Sequence, residues 1–402
     1  MDKKIRILIV CQYYNPEQFL INQIAPELVK RGHQVTVLTG LPNYPSGIIP
    51  EEYRHGLRRH EVLDGVEVIR CKEFGRKGGP LNLILNYMSF RYYGIKTARK
   101  LPAGYDVIFC YQLSPVSMLE PAIAYKTKYG VPILCYCLDL WPESVQAYVS
   151  KSNLIYTCIS SYCKKLYQAC DRIAVTSFPF INYLHSVNGI DPGKLCYIPQ
   201  HADDSMLNLD MATMPTRTVN FMFAGNLGKG QKIETIIKAV AILKHRKDFV
   251  VHMVGDGTMR LKLEMLAQDL GVADKFIFHG NQKRENMPKF YAMADVLLIT
   301  LRGNNAVGDT MPGKLQTYMT TGKPILGAIN GAANQVIKES RCGACTKAED
   351  YKGLASIMAS YIDNPSAYNE CGENARKYFK EHFTFKVYMD SLEKELLALI
   401  KS

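Results

Sequence analysis

Residues 309–324, DTMPGKLQTYMTTGKP, place a carboxylate, a helix start and a lysine within one short stretch. Pro312 and Gly313 open a helix whose first turn carries Lys314, and Gly322 supplies the left-handed cap that ends it. A helix start presents unpaired N–H groups and a partial positive charge, so it suits a phosphate. A lysine in that turn opposes the helix dipole, a cost that an anion lying between them removes. Asp309, just upstream, offers acceptors to hydroxyl groups.

Three glycine-bearing turns in the second half add donors of the same kind. AGNLGKGQ (224–231) holds Gly225, Asn226, Gly228, Lys229 and Gln231; VGDG (254–257) holds Gly255 and Asp256; HGNQ (279–282) holds Asn281 and Gln282. Backbone N–H groups in such turns can meet a diphosphate, and Lys232 and Arg302 are cations in reach of the same chemistry. Close strand–helix packing is the other reading of Gly255. None of the three matches G-x-G-x-x-G or a P-loop, which disfavours a dinucleotide fold and an ATPase. In the first half DLWPES (139–144) sets the carboxylates Asp139 and Glu143 around the only tryptophan, directly after an apolar run. Asp139 is there either as a functional carboxylate at a strand end or as the cap of a turn.

Such residues need a scaffold, and the hydropathy pattern supplies one. Apolar runs at Ile5–Val10, Gln34–Thr39, Val66–Cys71, Asp106–Tyr111, Pro132–Leu138 and Arg172–Thr176 alternate with helical stretches, the first of them Phe19–Lys30. Continuous apolar runs spaced by helices predict a parallel sheet covered on both faces. The pattern breaks at Pro199–Pro215 and restarts with Val219–Ala224, helix Ile233–Lys244, Phe249–Val254, helix Met259–Leu270, Phe276–His279, Asp295–Leu301 and Ile325–Ala328. The expected fold class is α/β, two doubly wound domains, residues 1–200 and 201–383, with ligands beyond the carboxyl ends of the strands. The apolar stripe of the last helix, Lys386–Ile400, requires it to pack on a neighbour.

The chain has 402 residues, 47% of them apolar and 21% charged, enough to bury two cores. Residues 1–200 carry 23 Lys/Arg against 15 Asp/Glu, and residues 201–402 carry 26 against 22. A basic surplus of this kind fits a polyphosphate substrate or anionic lipid; no nucleic-acid-binding signature accompanies it. No signal peptide or membrane-spanning run is read, so the expectation is a cytoplasmic protein. Of the twelve cysteines, Cys110, Cys135 and Cys137 sit inside apolar strand-like runs, which argues against a disulfide framework, and Cys342–Cys345 is a lone C-x-x-C, expected as a turn rather than half a zinc site.

The order and spacing of these motifs resemble the family 4 glycosyltransferases, retaining enzymes of the GT-B fold, over essentially the whole chain. LPNYPSG (41–47), DLWPES (139–144), GNLGK (225–229) and PGK (312–314) are similar to the branch that includes N-acetylfucosamine-type transferases of bacterial surface-polysaccharide assembly. The resemblance implies two Rossmann-like domains facing across a cleft, the first binding acceptor and the second a nucleotide sugar, with helix 384–402 returning to the first. It implies transfer of an N-acetylhexosamine from a UDP-sugar to a lipid-linked saccharide. Sugar-nucleotide epimerase or hydrolase activity on the same fold, or a catalytically silent subunit of a polysaccharide-assembly complex, are the alternatives. The catalytic candidates are Asp139, Glu143 and Asp309. The donor-site candidates are Gly225, Asn226, Gly228, Lys229, Gln231, Gly255, Asp256, Asn281, Gln282, Arg302, Met311, Pro312, Gly313, Lys314 and Thr317.

Departures from the family pattern sharpen the expectations. Two glutamates eight positions apart fall on Asp309 and Thr317, and Thr317 lacks the carboxylate for ribose hydroxyls; a usual Arg and Lys fall near Asn226 and Gln231. No D-x-D occurs, so no metal and no cofactor is expected. Leu81, Ile84, Leu85, Met88, Tyr92 and Ile95 form one stripe at helical spacing, with Arg91, Lys96, Arg99 and Lys100 towards its end. That segment is either a core helix with a solvated basic end or an exposed helix that meets an anionic membrane surface.

Overall fold

The computed structural model describes residues 4–143, 153–211, 218–303 and 311–401. These divide into two compact units: Met1–Ile198 with Met389–Ser402, and Pro199–Tyr388.

The first unit is built on β1 (Arg6–Val10), β2 (Gln34–Thr39), β3 (His60–Leu63), β4 (Val66–Arg70), β5 (Val107–Gln112), β6 (Ile133–Cys137), β7 (Arg172–Val175) and β8 (Leu195–Tyr197). Their order is β3-β4-β2-β1-β5-β6-β7-β8, parallel throughout except for the hairpin β3–β4. The second unit is built on β9 (Val219–Ala224), β10 (Phe249–Val254), β11 (Phe276–Gly280), β12 (Val296–Thr300), β13 (Ile325–Ala328) and β14 (Gly343–Thr346), ordered β11-β10-β9-β12-β13-β14 and wholly parallel. The hairpin partner β3 and the edge strands β8 and β14 are only three or four residues long, so the hydropathy pattern passes over them.

Both sheets are covered on two faces, and the second shows why the runs are continuous. Phe221, Phe223, Val251, Met253, Val296 and Leu298 enter one core, while the alternating Met222, Ala224, Val254, Leu297 and Ile299 enter another. Period-two alternation between two apolar layers leaves few polar positions within a strand, Asn220, His252 and Thr300 being the exceptions in β9, β10 and β12. In each sheet the order reverses beside the first strand of the unit: between β1 and β5, and between β9 and β12. Doubly wound sheets bind ligands outside the strand ends at such reversals.

The terminal helix Phe385–Lys401 supplies the tail of the first unit. Arg31 Nη1 meets Asp390 Oδ1 at 2.8 Å and Glu393 Oε2 at 2.7 Å, and Arg172 Nε meets Glu395 Oε2 at 2.7 Å. All twelve cysteines are free thiols. Cys342 and Cys345 do not form the expected turn: Cys345 lies inside β14 and Cys342 directly precedes it, buried in the core, because β14 continues the sheet beyond β13.

Candidate functional site

At the reversal between β9 and β12, three segments are tied together. The turn after β9 leads into a short 3-10 turn, Lys229–Gln231, and the residues after β12 are drawn onto it: Arg302 N–H donates to Gly230 O at 2.9 Å and the Thr300 hydroxyl donates to Gln231 O at 2.6 Å. The helix Gly313–Thr321 approaches from the other side. Its Tyr318 hydroxyl lies within hydrogen-bond distance of Ala224 N and Ala224 O, at 2.8 and 3.2 Å, which pins helix to strand.

Lys314 lies at the centre of this arrangement. Its Nζ sits 3.5 Å from the ring centroid of Phe223 and donates to Gln231 Oε1 at 2.7 Å. Gly225 makes room for it: at φ +143°, a Cβ there would lie 2.9 Å from Lys314 Cε and 3.1 Å from Nζ. Among the described residues no carboxylate pairs with Lys314. Burial pulls its ammonium down to about 7. An anion placed against this group would restore its charge, and the helix start beside it favours the same sign.

The other cations differ. Lys232 is paired with Glu349 at 2.9 Å, a bond that holds the Glu349 carboxyl below its usual range, and Glu349 Oε1 also accepts from Gly303 N–H. Lys229 and Arg302 are exposed around the same turn. Thr317 donates its hydroxyl to Gly313 O of its own helix at 3.1 Å. Met311 packs at the edge of the core and Pro312 precedes the helix.

The second glycine turn is occupied by packing. A Cβ on Gly255 would lie 2.0 Å from Gly225 O, and one on Gly257 would lie 2.5 Å from Asn226 Oδ1. Gly225 N–H donates to Val254 O, Leu227 N–H to Asp256 O and Gly255 N–H to Gly280 O, so these donors are committed to neighbouring turns. Asp256 accepts from Gly257 N–H and pairs with Arg260. Asn281 and Gln282 follow β11, two strands away from β9, and Gln282 Nε2 donates to His279 O at 2.8 Å. Gly225, Asn226, Gly228, Lys229, Gln231, Arg302 and Lys314 are thus drawn around one reversal, whereas Asn281 and Gln282 are not.

In the first unit Asp139 follows β6; its Oδ2 accepts from the Ser114 hydroxyl at 2.9 Å, whose oxygen accepts from Trp141 Nε1–H at 3.0 Å. The tryptophan of DLWPES therefore orients the serine that holds the carboxylate. Glu143 has different partners, accepting from Tyr183 at 2.8 Å and Tyr156 at 3.3 Å. Asp309 lies outside the described residues.

A second cluster at the strand ends of this unit was not anticipated from sequence. Glu73 Oε1 accepts from Gln12 Nε2 and from Asn86 Nδ2, each at 2.7 Å. Glu73 Oε2 and Gln12 Oε1 are buried without a hydrogen-bond partner among the described residues. Burial pushes the Glu73 carboxyl well above the usual range, and nearby Glu17 adds to the shift. Glu17 accepts from the N–H groups of Asn43 and Tyr44 at 2.8 and 2.6 Å, yet burial raises it to about 7. The members lie at positions 12, 17, 43, 73 and 86, with no spacing to betray them. Asn86 gives no local signal either, being one of several polar residues in its helix beside Asn82, Ser89, Arg91 and Lys96.

Residues 213–378 match the model of Glycosyl transferases group 1, and residues 19–205 match that of Glycosyltransferase Family 4. The N-acetyl-alpha-D-glucosaminyl L-malate synthase of Bacillus anthracis is 25% identical over 39% of this chain and 40% of its own length. This chain therefore spans about two fifths of that curated relative. The putative colanic acid biosynthesis glycosyl transferase WcaI of Escherichia coli strain K12 is 21% identical over 79% of this chain and 82% of its own. Among solved structures, Anabaena Alr3699/HepE in complex with UDP is 15% identical, covers 98% of this chain and 100% of its own, and superimposes with a TM-score of 0.69. Two Rossmann-like units in this order define a GT-B protein. With both of its halves matched by glycosyltransferase models, the chain belongs to the family 4 glycosyltransferases.

Proposed function

We propose that this protein transfers a sugar, an N-acetylhexosamine, from a UDP-linked donor to a lipid-linked saccharide, with retention of anomeric configuration and without a metal. The observation that carries the reading is Lys314, held beside a helix start at the β9/β12 reversal with no carboxylate paired to it among the described residues. A diphosphate leaving group is the anion such a site suits, and stabilising the charge it gains is the main electrostatic task of the reaction. The UDP bound to the Anabaena neighbour supports the same class of ligand. Asp139, oriented by Ser114, is the acceptor-side carboxylate in this scheme, a general base or an anchor for the attacking hydroxyl. Asp309 takes the donor sugar's hydroxyls.

The membrane belongs to the same proposal. In helix Pro80–Ala98 the packed face is Asn86, Ser89, Phe90, Gly94 and Ala98, whereas Leu81 is 75% exposed, Ile84 56%, Leu85 54% and Tyr92 61%. The apolar stripe therefore points outward, with the basic residues Lys96, Arg99 and Lys100 exposed at its end. No helix among the described residues is long and apolar enough to cross a membrane. An exposed apolar stripe with a basic end suits a peripheral helix on an anionic surface, and it brings the protein to a lipid-linked substrate.

Incubation with labelled UDP-sugars and a panel of lipid-linked acceptors tests the reading; an acceptor-dependent product is expected. Donor turnover with acceptor irrelevant would favour a hydrolase or epimerase. Calorimetry with no heat of UDP binding would leave a silent subunit, the alternative that the missing carboxylate at Thr317 raises.

A further inference from the structure

The buried cluster of the first unit is expensive: two carboxyl groups, Glu17 and Glu73, lie away from water, and the oxygens Gln12 Oε1 and Glu73 Oε2 go unpaired among the described residues. Polar networks of this cost fix geometry, and the three segments fixed here are the loops after β1, β2 and β4. Glu17 in the first loop holds the backbone of Asn43 and Tyr44 in the second. Asn43 Oδ1 accepts from Arg76 N–H in the third, at 3.3 Å.

These loops hold an aromatic group at the surface. Tyr13 and Phe19 stack with ring centroids 5.3 Å apart, and Tyr44 tilts against both, at 5.8 and 5.5 Å. The Arg76 guanidinium carbon lies 5.3 Å from the Tyr44 ring centroid, and its Nη1 donates to the Tyr13 hydroxyl at 3.1 Å. Tyr13 is buried and Phe19 half-buried, but Tyr44 is 45% exposed. A partly open aromatic face beside the multiple N–H donors of the Arg76 guanidinium suits a pyranose, which has one apolar C–H face and a rim of hydroxyls.

The same network reaches the helix that carries the exposed apolar stripe. Asn86, on its packed side, donates to Glu73 and to Phe74 O, and Ser89 accepts from Phe74 N–H. The aromatic group and the stripe are thus held in one rigid piece.

We propose that Tyr44, Phe19 and Arg76 form the sugar subsite for the lipid-linked acceptor, with the pyranose stacked on Tyr44 and its hydroxyls bonded to Arg76. The proposal rests on the transferase reading and names where its acceptor sits. It is tested with the full chain by saturation-transfer NMR, using the methyl glycosides of glucose, galactose, mannose and N-acetylglucosamine as probes, with UDP affinity measured in parallel. At least one glycoside should receive saturation from the wild type, and Tyr44→Phe should keep that signal. Tyr44→Leu, which retains apolar bulk without an aromatic face, should lose most of it, and Arg76→Gln should weaken it several-fold; UDP should bind all of them alike. An undiminished signal in Tyr44→Leu, or none from any glycoside while UDP binds, would overturn the subsite and leave the transferase reading intact. Loss of UDP binding by the wild type would sink that reading instead.

Discussion

The two units share one sheet plan and fill it with opposite electrostatics. Each runs outward from its first strand and reverses, at β1/β5 in one and β9/β12 in the other. In the first unit, the loops around the reversal bury carboxyls that burial pushes up, Glu17 and Glu73, bonded to amides. In the second, the reversal holds a lysine that burial pulls down, Lys314, over an aromatic ring. Burial acts against charge in both cases, yet the ligands proposed for the two differ. A neutralised carboxyl network suits a ligand of hydroxyls, whereas a half-neutral lysine waits for an anion. The plan locates the sites, and the side chains at the reversals decide what each one holds.

The largest expected effect separates chemistry in one unit from binding in the other. Asp139→Asn should lower turnover by roughly 10²–10⁴ while UDP affinity stays unchanged, the range for a lost general base. Wild-type turnover in that variant would reduce Asp139 to a cap on the Ser114 loop. Next comes Lys314→Ala. A charge-assisted bond is worth about 1.5–3 kcal/mol, so UDP affinity should fall roughly 10- to 150-fold by titration calorimetry. Lys323 lies beyond the other end of the same helix, so Lys323→Met should leave UDP affinity near wild type. Equal losses from the two lysines would place the diphosphate elsewhere.

Acidity should divide the units by sign. Glu17 is raised from its ordinary 4.5 to about 7 in the fold. A raised carboxyl contributes stability that is fully present below about 4.5 and is lost as pH rises through about 7, on the order of 3 kcal/mol if the whole shift applies. Glu17→Gln should therefore flatten the decline of the denaturation midpoint between pH 4.5 and 7.5. Lys314 runs the other way: its ammonium is disfavoured by the fold, so its contribution is present at high pH and lost as pH falls through about 7. UDP binding, which needs the ammonium, should take up a proton near pH 7.5. Its affinity should drop several-fold from pH 7 to 8, and Lys314→Ala should remove that slope. A pH-independent affinity in the wild type would mean that the diphosphate does not touch this lysine.

The scaffold was legible where burial is continuous. β2, β9, β10 and β13 begin and end where their apolar-rich runs do, because a strand covered on both faces is mostly apolar, with few polar residues such as Thr36 and His252 among them. Lys314 and the Gly225 turn were legible too, since helix starts and glycine turns are local features. Pairings across long separations were not: Gln231 with Lys314, or Gln12 with Glu73 and Asn86, join residues that no window of sequence sees together. The stripe on helix Pro80–Ala98 carries a sharper lesson. Apolar residues at helical spacing ordinarily mark the packed face, yet here Gly94 and Ser89 pack, because a Cβ on Gly94 would already lie 2.7 Å from Pro121. Small residues let the helices approach closely and leave the large apolar ones outside.

The smallest effect expected is also the finest test of what that stripe does. Binding to anionic vesicles should rise with the fraction of anionic lipid and fall with salt, since a basic residue near the surface contributes about 1 kcal/mol within a Debye length. Charge alone would make Arg91 and Lys96 equal partners. The structure does not: Arg91 Nε meets Glu120 Oε2 at 2.5 Å, whereas Lys96 stands exposed at the end of the helix. A guanidinium already paired brings little net charge to a membrane, and removing it frees Glu120 to repel the surface only slightly from its partly buried position. In a sedimentation assay Lys96→Gln should therefore lower the partition coefficient about fivefold, the equivalent of roughly 1 kcal/mol, and Arg91→Gln by less than twofold. Equal losses would mean that the Arg91–Glu120 pair opens at the membrane. No loss from either would remove the basic end of the helix from the contact and leave the apolar stripe to account for it alone.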